Sequence, residues 1–336
     1  MITDIIYNVG ILFVMMVPGI ILKVTKLSID GLGKALSNIV LYIAQPALVL
    51  RAYLMDFDPD TLTNIIWVFA LSVVGQLIFA AVAFLMYRKS KDSVRRMLRF
   101  ATIFSNAAFM GIPLVEAIFA SINPAMALKA TLYATIYNVS FNFFLWTLGV
   151  HICTADRDYD GDGTIDKDIE RKHKSEASVK KALLNPITLA SFVGLIIFFT
   201  SAWNYVPQSA SGFIVTCLDY LKGLVAPLSM IVLGLRIAEL RPKGLFNDFN
   251  MYVMLSLRHI ILPLVVVGIM KLIVLIGIPL AYEVQVVTLI LSATPVATSA
   301  TMFAEKYDCD SVYVSKLVAI STLLSIATMP IMAALI

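Results

Sequence analysis

Residues 290–307 read ILSATPVATSATMFAEKY. The stretch lies in a long uncharged run, yet it holds Ser292, Thr294, Thr298, Ser299 and Thr301 around a central proline, Pro295. A proline removes a backbone donor and clashes with the carbonyl one turn back, so a helix through these residues is expected to break near its middle. At membrane depth such a break is tolerated only where protein or a water-filled cavity satisfies the freed amides and carbonyls.

The surrounding chain supplies the setting. Hydrophobic residues make up 60% of the 336 and charged residues 14%, and the mean hydropathy is +0.88. A soluble domain carries roughly 45–50% apolar residues, so an integral membrane protein embedded in a lipid bilayer is expected. The N-terminal MITDIIYNVGILFVMM has no basic residue ahead of its apolar run and no small-residue cleavage site, so it is expected to remain as the first helix. Cys153, Cys217 and Cys309 are far apart and fit no CxxC pattern, which points away from a metal site or a disulfide framework.

Runs of about 20 apolar residues, the length that crosses a ~30 Å hydrocarbon core, number ten. They are expected near Ile5–Lys23, Ala35–Leu54, Asn64–Tyr87, Phe100–Ala120, Ala127–Cys153, Pro186–Tyr205, Phe213–Leu235, Met251–Ile276, Val284–Ala304 and Val312–Ile336. Lysine and arginine collect on the cytoplasmic side of a membrane. With alternate loops taken as inside, every basic residue falls there except Arg51, Lys129, Lys222, Arg258 and Lys271. The opposite loop MDFDPDTLT holds three aspartates and no cation. Both termini are therefore expected outside and the loop 154–185 in the cytoplasm. The net charge of +4 reflects this bias and not an affinity for nucleic acid.

The long hydrophilic loop divides the ten spans into residues 1–153 and 186–336, five helices each. An odd number makes two similar halves insert upside down relative to each other, the inverted-repeat plan of many secondary transporters. Weak internal similarity agrees: the second span carries LYIAQPALVL and the seventh LVAPLSMIVLG, while the fourth carries FSNAAFMGIPL and the ninth LSATPVATSA. The fourth, with Gly111 and Pro113, is expected to break as the ninth does. Two broken helices crossing at the midplane would aim their half-helix N-termini at one spot, which suits an anionic ligand. For a single span, proline and small residues that merely aid helix packing are the simpler account; a matched pair points to a site.

The segments NAAFMGIPL (106–114), IAQPAL (43–48), TPVATSATMFAEKYD (294–308) and STLLSIATMP (321–330) resemble the auxin efflux carrier family, the PIN-like transporters and their bacterial relatives. The resemblance covers nearly the whole chain apart from the central loop. It implies an all-α fold of the bile-acid-symporter-like, elevator type, with ten transmembrane helices and the broken fourth and ninth crossed. It also implies a transport domain (helices 3–5 and 8–10) moving against a scaffold (helices 1, 2, 6 and 7), a homodimer in the cell membrane, and export or exchange of a small mono- or dicarboxylate. By position, Asn106, Gly111 and Pro113 match the first crossover motif and Pro295 the second. Plant members lack the hydroxyl cluster Thr294, Thr298 and Ser299. Protons or sodium are the candidate coupling ions.

Other polar residues extend the expected site. Gln45, before Pro46, is read either as facing the crossover in a gating role or as helix-packing glue. Asn138 is expected to line the cavity, with Asn142 on the same face of the fifth span. Asp219 and Lys222 are spaced for an ion pair, and Arg258 is expected to snorkel to the cytoplasm. Glu116 is a candidate for proton coupling, Glu305 is expected at the interface, and His151, His173 and His259 are too scattered to be ligands. The central loop contains DRDYDGDGTIDKDIERKHKSE, in which Asp158, Asp160, Asp162, Gly163 and Asp166 follow calcium-loop spacing. Its twelfth position is Ile169, where a bidentate glutamate belongs, so a solvated linker is the competing reading. There is no HExxH, no phosphate-binding GxxxxGK and no intramembrane aspartate pair, which disfavours an enzyme. The alternative from another class is a ligand-sensing transceptor reporting through the cytoplasmic loop, with calcium as a regulator.

Overall fold

The computed structural model describes residues 2–56, 58–88, 92–154, 183–239 and 248–335. The expected calcium ligands Asp158, Asp160, Asp162 and Asp166 lie outside them. Among the described residues the architecture is all-helical. In chain order the helices are α1 (Ile6–Val24), α2 (Leu32–Tyr53), α3 (Pro59–Met86), α4 (Asp92–Ile103), α5 (Ala107–Ile122) and α6 (Pro124–Thr154). After the central loop come α7 (Pro186–Thr200), α8 (Gln208–Ala238), α9 (Phe249–Leu275), α10 (Tyr282–Ala293), α11 (Ser299–Lys306) and α12 (Ser311–Met332). Seven of them, α1, α2, α3, α6, α8, α9 and α12, are long and apolar enough to cross a membrane, while α5, α7 and α10 are apolar but shorter. The expected fourth and ninth spans are each in two pieces, α4 with α5 and α10 with α11.

Local sequence explains where these helices start. Asp58, Asn123 and Asn185 each precede a proline, and each side chain accepts the N–H two residues on, from Asp60 (3.1 Å), Ala125 (2.8 Å) and Ile187 (2.9 Å). The acidic or amide oxygen satisfies an orphan donor, and the proline occupies a first-turn position where its missing N–H costs nothing. Interior prolines are handled differently. Ahead of Pro46, Pro113 and Pro263 the helix widens into a π turn, in which Gln45, Ile112 and Leu262 donate to the carbonyls five residues back, those of Val40, Ala107 and Leu257. Widening lets the helix continue past a ring that would otherwise strike the carbonyl one turn back. Pro113 therefore does not break its helix, as the sequence suggested; the break lies upstream, between Ile103 and Ala107.

Packing runs across the whole helical assembly. Helix α8 packs on α1 and α2, and α2 on α7; α6 packs on α3, α5 and α10, and α9 on α10, with α1 also on α5 and α12 and α2 also on α6. Helix α1 meets α8 at a pair of glycines. A Cβ at Gly19 would run into the carbonyl of Ile231, and one at Gly234 into the carbonyl of Met16. Only glycine lets the two backbones approach this far.

Candidate functional site

The two breaks bond to each other. Asn106 N–H donates to the Pro295 carbonyl at 2.8 Å, Ala297 N–H donates to the Phe104 carbonyl at 2.9 Å, and Ser105 pairs with Val296 in an antiparallel bridge. Two extended segments thus satisfy part of the backbone that their own helices abandon, as an apolar surrounding demands.

The helix ends on either side have different surroundings. The C-terminal ends of α4 and α10 meet Arg258, from the π turn of α9. Its Nη1 donates to the Thr102 carbonyl (3.2 Å), its Nη2 to those of Ser292 (2.7 Å) and Thr294 (3.1 Å), and its Nε again to Thr294 (3.1 Å). The residue is 0% exposed, which corrects the expected snorkelling. Carbonyl acceptors from two helix ends hold the guanidinium inside, where it also lies 5.3 Å from the Phe79 ring centre. Beside it, Val296 N–H donates to Ser321 Oγ at 2.9 Å, and Ser321 Oγ meets His259 Nε2 at 2.8 Å. His259 Nδ1 in turn meets Thr328 Oγ1 at 3.0 Å, so both ring nitrogens are engaged by hydroxyls.

The N-terminal ends of α5 and α11 face a cavity of about 670 Å³. Asn106, Thr298 and Ser299 line it, as do Ser105 and Asn142. Thr298 Oγ1 reaches Asn106 Oδ1 at 3.4 Å, while Asn106 Nδ2, Ser105 Oγ and Asn142 Nδ2 are buried without a hydrogen-bond partner among the described residues. Unmet donors cost free energy unless something else meets them. Phe109, Phe141 and Trp146 supply apolar wall, and among the described residues of the lining Lys34, Arg236 and Lys306 stand against the carboxylate of Glu305; Arg236 lies 3.9 Å from Glu305 and 3.4 Å from Glu239 outside the lining. Among the described residues the lining is therefore amphipathic and carries more positive than negative groups.

The other expected residues take supporting places. Gly111 and Pro113 are buried behind the lining, and a Cβ at Gly111 would press on Leu291 and Thr294. Thr294 turns its hydroxyl onto the Leu291 carbonyl (3.0 Å) and gives its own carbonyl to Arg258, and Pro295 gives its carbonyl to Asn106. Gln45 donates through Nε2 to the Ala108 carbonyl. That carbonyl is the one Pro113 leaves without a donor when the turn is read five residues back, so Gln45 repairs the proline's omission. Asn138 is fully buried, with neither amide atom bonded among the described residues, but it is not part of the lining; Asn142, one turn on, is. Glu116 is paired with Lys222 at 2.6 Å. Lys222 also meets Asp219 at 3.5 Å, and Asp219 accepts from Arg51 Nε at 3.0 Å, so the expected pair is part of a network joining α2, α5 and α8. The three cations at the cavity were read from sequence only as loop charge. Nothing in their spacing shows that the fold gathers them around one opening.

Comparison with known proteins gives a consistent picture. The family described as "Membrane transport protein" matches residues 4–333. An uncharacterized transporter of Methanothermobacter thermautotrophicus is 24% identical over 320 residues, covering 95% of this chain and 94% of the relative. Another, from Methanocaldococcus jannaschii, is 23% identical over 321 residues, covering 94% of each chain.

Proposed function

Because the chain belongs to the membrane transport protein family, the auxin efflux carriers of the resemblance above, we propose that it is a secondary transporter carrying a small organic anion, a mono- or dicarboxylate. It is a multi-pass protein of the lipid bilayer. The observation that supports the anionic substrate most is the union of two helix N-termini, the unmet Asn106 amide and three cations around one cavity. Each helix N-terminus carries a partial positive charge of about half an elementary unit, so a carboxylate placed between α5 and α11 meets attraction with no basic side chain in direct contact. Asn106 and Thr298 then add side-chain donors, and Phe109 and Trp146 take the hydrocarbon part.

In this reading the ten apolar segments form two inverted five-helix repeats, with the two broken segments crossing at the paired backbone. The group α3–α6 with α9–α12 carries the site, and α1, α2, α7 and α8 form a scaffold against which it slides, the elevator form of alternating access. The packing of α8 with α1 and α2, and of α2 with α7, supports that division. With Lys34, Arg236 and Lys306 at the cytoplasmic side by charge bias, the cavity is the inward-facing one, and both termini lie outside the cell membrane. The active form is a homodimer.

A thermal-shift screen of purified protein against small mono- and dicarboxylates tests the proposal, because a ligand that binds the native state raises its melting temperature. The expected result is a saturable rise with at least one acid and none with its amide. Silence across all acids would overturn the anionic substrate.

A further inference from the structure

In the transporter reading the N-terminal face of the paired breaks receives an anion, whereas the opposite face is filled by a cation of the protein's own. We infer that the Arg258 guanidinium stands permanently in the place of a coupling cation, so that the carrier takes up its anion without sodium. The inference deepens the transporter reading and rests on it for the word coupling; the filled slot itself rests only on geometry.

The carbonyls that converge on Arg258 come from the C-terminal ends of both broken segments, Thr102 from α4, Ser292 from α10 and Thr294 just beyond it. Helix C-terminal ends and unwound carbonyls of this sort are what hold sodium in transporters built from broken helices. Here they accept four N–H···O bonds from three nitrogens of one planar guanidinium. Arg258 is fully buried and makes no ion pair among the described residues. Its charge is met by two helix ends of about −0.5 each, which together match one positive charge. A second cation at these carbonyls would meet a fixed like charge beside them and a Thr294 oxygen that already accepts twice. In the elevator reading the bound cation also travels with the site, because α9, which carries Arg258, packs on both α4 and α10. Sodium there would therefore be repelled by the guanidinium and have no charge left to neutralise.

The test needs no substrate. Melting temperatures of the purified protein are measured in sodium chloride and in choline chloride at equal ionic strength, for wild type, Arg258→Ala and Arg258→Lys. Wild type should melt at the same temperature in both salts. Arg258→Ala should melt several degrees lower and recover toward wild type when sodium or methylguanidinium is added, while Arg258→Lys, which keeps a buried cation, should lose less and remain indifferent to sodium. A saturable sodium-specific rise in wild type would overturn the inference, as would an Arg258→Ala protein with unchanged melting and no response to either cation. Should Arg258→Ala fail to fold, the sodium titrations of wild type and Arg258→Lys decide alone. Rescue of Arg258→Ala in a protein that moves no acid would leave the filled slot standing and count against the transporter reading only.

Discussion

Replacing Asn106 with alanine should separate binding from stability. In the free protein the side chain makes one long contact, Thr298 Oγ1 to Oδ1 at 3.4 Å, and leaves Nδ2 without a partner. A contact at that length is worth less than about 1 kcal/mol, and truncating a buried unmet donor returns part of its desolvation cost. The backbone bonds survive, because alanine keeps the N–H given to Pro295 and the carbonyl that accepts from Met110 and Gly111. Its backbone at φ −79° and ψ 46° is one that alanine tolerates. Stability should therefore change by no more than about 1 kcal/mol. A hydrogen bond from Nδ2 to a bound carboxylate is worth about 1.5–3 kcal/mol, so affinity for the acid should fall roughly 10- to 150-fold. Isothermal titration with an acid found in the screen, alongside melting curves without it, reads both quantities on one preparation. A melting temperature lowered by many degrees with an unchanged Kd would refute the reasoning and make Asn106 a structural residue.

Gly234→Ala should cost about 1–3 kcal/mol or more, since its Cβ meets the Met16 carbonyl, whereas Gly10→Ala meets nothing within 4 Å and should leave melting unchanged; equal effects from the two would remove the close approach of α1 and α8 as a constraint. Asp58, in the turn before α3, accepts from Lys129 at 2.9 Å, and that hydrogen bond holds its carboxyl below the usual range, with Thr61 and the Asp60 amide adding to it. A depressed carboxylate contributes stability above its unfolded pKa of about 3.9 and loses it as pH falls through the lower folded value. Because the side chains of both partners are more than a third exposed, the contribution is below about 1 kcal/mol. Asp58→Asn should thus melt slightly below wild type at pH 7, with the gap closing toward pH 3, and a gap constant across that range would contradict the assignment.

Legibility in the sequence differed by element. Asp58-Pro59, Asn123-Pro124 and Asn185-Pro186 announce helix starts because cap and proline act within one turn. The second break is legible for a similar reason, since Pro295 sits in it. The first is not: Pro113 is absorbed by a π turn, and the chain departs from the helix at Phe104–Asn106 instead. Arg258 was out of reach because its partners are carbonyls of two other segments, which no side-chain pattern records. Asn138 and Asn142 repeat on one face at a spacing of one turn, so spacing alone does not separate the expected lining residue, Asn138, from Asn142. Only the depth at which the breaks pair decides that Asn142 reaches the cavity.

In the transporter reading the cavity at the paired breaks carries an organic anion across the membrane. Counterflow of a radiolabelled small carboxylate into liposomes containing only the purified protein tests this most directly. Wild type should accumulate the acid saturably, driven by unlabelled acid inside, and Asn106→Ala combined with Thr298→Ala should lose this. An acid that binds wild type saturably yet is never moved across the bilayer would contradict the claim and leave a ligand sensor in its place.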